Sequence, residues 1–479
     1  MQEYSQGVPA FFISHGFILL LAGNTKHNLF RVFCVIRGFF RSTNVSEISD
    51  IIKKNALCMV QIMLKSALCV VHFSYLFVYL QSKNNEIRLK MEQLQATFDK
   101  LLRGTSTTFH RYMHDCINWD ARMIGLMGPR GVGKTTLVLQ HIKEQLSRKD
   151  ALYVQAEDFY FASHRLTELA DAFAKMGGKY LFIDEIHKYQ DWARELKLIY
   201  DYHAELHVMF TGSSVLDIAK GASDLSRRAL MYEMQGLSYR EYLELFHGIH
   251  FPVCTLEQIM QQEVDIQDDF LPLEHFADYL QRGYYPFSDG NIGMYIQQVV
   301  NATIETDIPQ YADLTVSTAR KLKRLLAIIA QSAPFKPNMS QIGGQLEVSR
   351  NKIADLCAYL EKAGLIGQLR TSTGGIQGLG KVDKIYLDNP TLIYTLAGKS
   401  VEIGTVRETF FFNQTRSFMP VTVSPISDFL IDGKYTFEVG GKKKKQNQLQ
   451  NIENGYVVKD DIETGYGNII PLWMFGMLY

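Results

Sequence analysis

One nonapeptide constrains this chain more than any other feature: Gly128-Pro129-Arg130-Gly131-Val132-Gly133-Lys134-Thr135-Thr136. It fits the pattern G-x-x-x-x-G-K-[ST] and stands in the context that pattern requires. Ahead of it, residues 122–127 read as a short buried strand; behind it, Leu137, Val138, Ile142 and Leu146 give the following segment a helical apolar face. A strand, a glycine-rich turn and a helix in that order can wrap backbone N–H groups around phosphate oxygens, and the helix N-terminus adds a favourable dipole. In this reading the nine residues form the cradle for ATP. Lys134 reaches the β- and γ-phosphates, and the Thr135 hydroxyl ligates Mg²⁺.

Further along, Lys179-Tyr180-Leu181-Phe182-Ile183-Asp184-Glu185 is an apolar strand ending in paired carboxylates, the Walker B arrangement. An isolated Asp-Glu at a strand end is commonly a solvated turn; coupled to a phosphate loop it acquires a role. Asp184 is placed to hold Mg²⁺ through water. Glu185 is placed to orient and polarise the attacking water, because phosphoryl transfer is catalysed mostly by positioning and charge stabilisation. A third strand, residues 206–211, runs into Gly212-Ser213-Ser214, where Ser213 reads either as a γ-phosphate sensor or as a helix N-cap. Arg227 and Arg228 follow before another strand-like run. One of them is the candidate arginine finger, in cis or in trans, with ordinary surface charge as the alternative. The alternation of strands and helices predicts a parallel sheet with helices on both faces and phosphates at the carboxyl ends of the strands.

At 479 residues the chain exceeds one hydrophobic core and implies several domains. Lys plus Arg equals Asp plus Glu at 50 each, so no overall field steers it toward nucleic acid or an anionic membrane. Six scattered cysteines without a close pair fit a reducing, cytoplasmic compartment. The first 90 residues differ in composition, with ten Lys/Arg against Glu3, Glu47, Asp50 and Glu86. Within them, residues 56–80 are long and apolar enough to cross a bilayer, yet contain Gln61, Lys65 and His72, and a central Lys costs about 3 kcal/mol on insertion. Three readings stand: a membrane anchor, a soluble helical extension, and a start codon assigned too early, the native chain then opening at Met91 with an amphipathic helix.

With these residues in view, the chain resembles the prokaryotic AAA+ (P-loop) ATPases that join a P-loop core to a winged helix and a restriction-endonuclease-like C-terminal domain. The resemblance covers about residues 91–479. It is specific at residues 128–136, at Asp184-Glu185-Ile186-His187-Lys188 with Trp192, at Thr211-Gly212-Ser213-Ser214, and at Leu225-Ser226-Arg227-Arg228 before Gly236-Leu237-Ser238-Tyr239-Arg240-Glu241. It implies an α/β fold and ATP-dependent switching without supplying a substrate. The expected divisions are an N-terminal extension (1–90), the ATPase core (91–236), a helical lid or connector (237–318), a winged helix (319–375) and the nuclease-like domain (376–479).

In the connector, the aromatic residues at helical spacing read as core. Residues 319–331, 340–346 and 349–363 read as three helices, followed by a strand at 365–369; Val348 closes the turn and Ser349 caps the third helix. Arg350, Asn351 and Lys352 then lie where such a helix meets DNA, although a packing role is the alternative, and Asp355 and Glu361 dilute the charge. In the last domain, Glu408 lies on an apolar helix, Asp428 opens a strand into the Asp432-Gly433 turn, and the return strand carries Glu438. This is the outline of a two-carboxylate Mg²⁺ site for phosphodiester cleavage. Gly440 stands where the resemblance calls for a lysine, with Lys442 two residues on, so a degenerate, inactive nuclease site is expected. Three functions follow: an ATP hydrolase that switches its C-terminal domains, an ATP-gated DNA-binding or regulatory module, and an ATP-dependent nuclease. Partners in view are DNA, a second copy or another protein, and a membrane only if residues 56–80 are an anchor.

Overall fold

The structure is a computed structural model. It describes residues 11–14, 17–20 and 90–479 except 213–224, 226, 265–269, 288–290, 310–313, 333–337, 373–379, 399–400, 445–448, 450 and 451. The chain divides into two units, Met1–Arg88 and Leu89–Tyr479. In the first, strands β1 (Phe11–Ser14) and β2 (Phe17–Leu20) pair antiparallel. The candidate span at 56–80 lies outside the described residues. Among the described residues, no helix is long and apolar enough to cross a membrane.

The second unit opens with a helix over residues 90–104, whose apolar residues Met91, Leu94 and Phe98 are buried. Five strands follow: β3 (Met123–Met127), β4 (Ala151–Gln155), β5 (Tyr180–Asp184), β6 (His207–Gly212) and β7 (Leu230–Glu233). They form one parallel sheet in the order β4-β5-β6-β3-β7. Strands buried on both faces read as continuous apolar runs, and β3 is buried at every position. At its centre a Cβ on Gly125 would lie 2.9 Å from Phe210 Cζ of β6 and 2.5 Å from Met231 Sδ of β7, so only glycine lets both neighbours close on it. Helices α1 (Lys134–Gln145), α2 (Leu166–Lys175) and α3 (Trp192–Tyr202) make the crossovers. Because all strands run the same way, the ends of β3 and β5 that carry the predicted phosphate and Mg²⁺ residues open on one edge.

The connector begins with α4 (Tyr239–His247), capped by Ser238, whose Oγ accepts from Glu241 N–H while the Glu241 carboxylate accepts from Ser238 N–H. Of the aromatic residues read as core, Tyr239, Tyr242, Phe270, Phe276, Tyr284 and Tyr285 are buried and Phe246 is half-buried. Helix α5 (Ile292–Ala302) widens into a π-helical turn over Thr303–Asp307. Three helices follow, α6 (Val316–Ser332), α7 (Met339–Leu346) and α8 (Arg350–Lys362), then the antiparallel pair β8 (Ile366–Arg370) and β9 (Val382–Leu387). The last sheet has the order β10-β11-β12-β13-β14, made of Val421–Val423, Phe429–Ile431, Tyr435–Gly440, Gly455–Lys459 and Ile469–Pro471. Its first three strands are antiparallel and its last three parallel. Helix α9 (Ile403–Arg416) covers it, with the Phe411 ring 5.0 Å from Phe429, 5.3 Å from Phe437 and 4.7 Å from Phe475.

Candidate nucleotide site

The loop between β3 and α1 owes its path to three glycines with left-handed φ: Gly128 at 150°, Gly131 at 84° and Gly133 at 100°. Side chains rarely adopt such angles. At Gly128 there is no space either, since a Cβ would sit 2.2 Å from the Met234 carbonyl oxygen, a backbone atom that cannot move aside. The curled loop places the Pro129 and Gly128 carbonyls over Lys134, whose Nζ donates to each at 2.9 Å. Lys134 is buried; burial lowers its pKa, opposed by the carboxylates of Glu185 and Asp184.

Asp184 ends β5 and collects donors from three elements. The Thr135 hydroxyl, at the start of α1, donates to its Oδ2 at 2.8 Å, and the Tyr153 hydroxyl of β4 donates to the same atom at 2.7 Å. The Thr211 hydroxyl, at the end of β6, donates to Oδ1. Thr211 also accepts the backbone N–H of Glu185 at 3.1 Å. Glu185 turns the chain with a left-handed φ of 52°, and its Oε2 lies 3.0 Å from Nε2 of His187. Burial, with Lys188, Lys134 and Arg130 nearby, pushes the His187 pKa down to about 3, so this imidazole is neutral near pH 7.

Two supports of the loop come from residues with no place in the motif. Arg111 donates from Nη1 to the Val132 carbonyl, from Nη2 to the Gln235 and Gly236 carbonyls at 2.8 Å each, and from Nε to Glu241 at 2.9 Å. Glu241, fully buried, thus joins the cap of α4 to the phosphate loop. From the connector, Asp307 faces Arg130 at 3.4 Å and Lys188 at 3.6 Å. A Ser-x-x-Glu spacing at 238–241 is the signal that could have found the Glu241 cap, whereas the Arg111 and Asp307 contacts left none.

Other predicted residues fall elsewhere. Ser213 lies outside the described residues. Arg228 donates to Asp201 at 3.0 and 3.1 Å, and it precedes β7, whose Leu230 is level with Ile124 near the start of β3. It therefore sits toward the end of the sheet opposite its own phosphate loop, about 13 Å of strand away. Arg227, beside it, is exposed.

In the last domain the structure brings Glu408 and Asp428 together around a residue the sequence reading did not include. Lys384 of β9 reaches Glu408 Oε2 at 3.1 Å and Asp428 Oδ1 at 3.2 Å, and the Tyr386 hydroxyl donates to Glu408 at 2.7 Å. Burial lowers the Lys384 pKa, but the two carboxylates outweigh it and the net shift is upward. Glu438 accepts from Ser427 and pairs with Lys444, whereas Lys442 is exposed. The basic residue beside Glu438 is thus Lys444, because the chain turns after Gly440 and carries Lys442 outward. Among the described residues, no group of three or more His, Cys, Asp or Glu side chains is arranged to hold a metal ion.

Comparison with known proteins agrees with the core. Residues 120–243 match the AAA domain family, and residues 273–402 match a domain of unknown function, DUF8612, which runs across the expected boundary at 318/319. With its sheet and loop, the first segment is an AAA-type ATPase domain. An uncharacterized protein of Methanocaldococcus jannaschii is 24% identical over 408 residues, covering 75% of this chain and 85% of its own length. A Walker-type ATPase of Pyrococcus abyssi aligns with a TM-score of 0.37 at 13% identity, over 60% of this chain and 95% of that one. PCH-2 of C. elegans aligns at 0.22 and 15%, over 58% and 68%. Scores this low carry no argument about action or assembly.

Proposed function

We propose that this chain binds ATP with Mg²⁺ and hydrolyses it, using the nucleotide state to reposition its C-terminal elements. The observation that carries the reading is the convergence of Lys134, Thr135, Asp184 and Glu185 at one edge of the parallel sheet. The Thr135 hydroxyl and Asp184 carboxylate are a hard, all-oxygen donor pair that fits Mg²⁺. When bound, that ion neutralises charge on the β- and γ-phosphate oxygens. Lys134 exchanges its two loop carbonyls for phosphate oxygens. Glu185 orients the attacking water and accepts its proton, with His187 Nε2 3.0 Å from its Oε2.

The test is steady-state ATP hydrolysis by the full chain beside Lys134→Ala and Glu185→Gln. Hydrolysis lost in both, with binding retained only in Glu185→Gln, supports the reading. Equal turnover in all three sinks it.

A second reading, an ATP-gated DNA-binding or regulatory module, is favoured by one contact. Gly364, just past α8, packs against Pro129 of the loop, where a Cβ would lie 2.6 Å from the Pro129 ring. Arg350 and Asn351 are exposed at the capped start of α8, which in this reading is the DNA-facing helix of a winged helix. Binding to duplex DNA that weakens steeply with salt and depends on nucleotide is its signature. The nuclease-like domain is inactive in our reading, since the Lys384 ammonium already occupies the space between Glu408 and Asp428. Arg227, exposed, is left as the candidate finger in trans, which requires a second copy of the chain.

A further inference from the structure

Asp307 is a buried carboxylate that the hydrolysis chemistry does not use. It ends the π-helical turn Thr303–Asp307 and is 1% exposed. Its two cations are held loosely: Arg130 Nη1 is 3.4 Å from Oδ2 and Lys188 Nζ is 3.6 Å from Oδ1, against 2.7–2.9 Å for a closed charge-assisted hydrogen bond. Both cations belong to the phosphate site, one inside the loop and the other just past Asp184 and Glu185. Lys134 feels Arg130 and Asp307 as well as the two motif carboxylates. Three cations (Lys134, Arg130, Lys188) thus face three carboxylates (Asp184, Glu185, Asp307), and the site has no net charge to offer an incoming anion.

We propose that Asp307 is a displaceable counter-ion: nucleotide phosphates and Asp307 compete for Arg130 and Lys188, so nucleotide binding releases the Thr303–Asp307 turn from the loop. The inference rests on the nucleotide-binding reading above and adds how occupancy leaves the site. The route outward is already built. Glu305, on the same turn, pairs with Lys323 of α6 at 2.9 Å, so movement of the turn is passed to the three-helix unit. π-helical turns are rare, occur mostly as single turns within helices, and are frequent at functional sites. By linkage, a docked turn lowers nucleotide affinity by the same factor that nucleotide loosens the turn.

The experiment measures affinity of the full chain for Mg·ADP and Mg·ATP, by calorimetry, in wild type, Asp307→Asn, Lys134→Ala, Arg130→Gln/Lys188→Gln and the triple variant. The expected result is tighter binding in Asp307→Asn by about fivefold or more, with the gain absent when both cations are already removed. Hydrogen exchange across residues 303–307 of the wild type should rise on adding Mg·ADP, a readout that needs no variant and stands even if Asp307→Asn folds poorly. Unchanged or weaker binding in Asp307→Asn, or unchanged or slower exchange at 303–307, overturns the proposal while Lys134→Ala still reports the nucleotide site. If the wild type binds neither nucleotide, both readings fall together.

Discussion

Asp184 holds three hydroxyl donors at once, from Thr135, Tyr153 and Thr211, and each removes freedom from the carboxylate to which our proposal assigns Mg²⁺. The proposed role of Glu185 is chemical: Glu185→Gln should bind ATP while turnover falls about 10²-fold or more, as single-turnover kinetics would report. A second expectation concerns pH. His141 lies flat on Trp119, rings 3.6 Å apart, and burial with His114 nearby pushes its pKa from 6.5 down to about 4. Between those values the unfolded chain binds the proton that the native chain refuses, so stability is full above the upper value and declines as pH falls toward the lower. The slope is at most ~1.4 kcal/mol per pH unit. Urea unfolding of wild type and His141→Gln between pH 7 and 5 should show a shallower loss in the variant.

At the scale of elements, the strand-loop-helix sequence was legible because its signals are local: five consecutive buried residues, a run of glycines, a helical apolar face. The same holds for α6, α7 and α8, whose starts and stops follow spacing and the Ser349 cap, which accepts from Lys352 N–H at 3.3 Å. Ser349→Ala should cost about 1 kcal/mol of stability. Gly128→Ala should cost about 2 kcal/mol or more, because the methyl meets a backbone oxygen at 2.2 Å with φ already at 150°. Thermal melts of the two variants would rank them, and a smaller effect at Gly128 than at Ser349 would mean that the loop relaxes more than its packing suggests. The Asp432-Gly433 turn was legible in part: both residues take left-handed φ, 53° and 66°, but Ile431 pairs with Tyr435, so Lys434 joins them in a three-residue loop where the signal predicts two.

Across the whole chain, the distribution of charge separates the two carboxylate clusters. In the ATPase core, the hydrogen-bond partners of the Asp184 carboxylate are the hydroxyls of Thr135, Tyr153 and Thr211. In the last domain, Glu408 and Asp428 share the ammonium of Lys384, from the strand β9. Lys384→Met should therefore destabilise the chain by about 3 kcal/mol, the cost of leaving two poorly solvated carboxylates beside each other, without altering ATP turnover. Differential scanning calorimetry beside an ATPase assay would separate those effects. Gain of Mg²⁺-dependent DNA cleavage in Lys384→Met would reverse our reading of the domain as inactive.

The sequence alone determined the phosphate loop, the Asp184-Glu185 pair and the strand alternation that orders them, because phosphate recognition uses consecutive backbone groups and strands and helices have short periods. Tertiary structure decided what surrounds them. Arg111 and Glu241 are 130 positions apart, and Arg130 and Asp307 are 177 apart. No local period or motif records such a pairing. An Asp at a helix end reads as a cap or a solvated charge until folding buries it against the loop, and a lysine in a strand reads as surface until two distant carboxylates close around it.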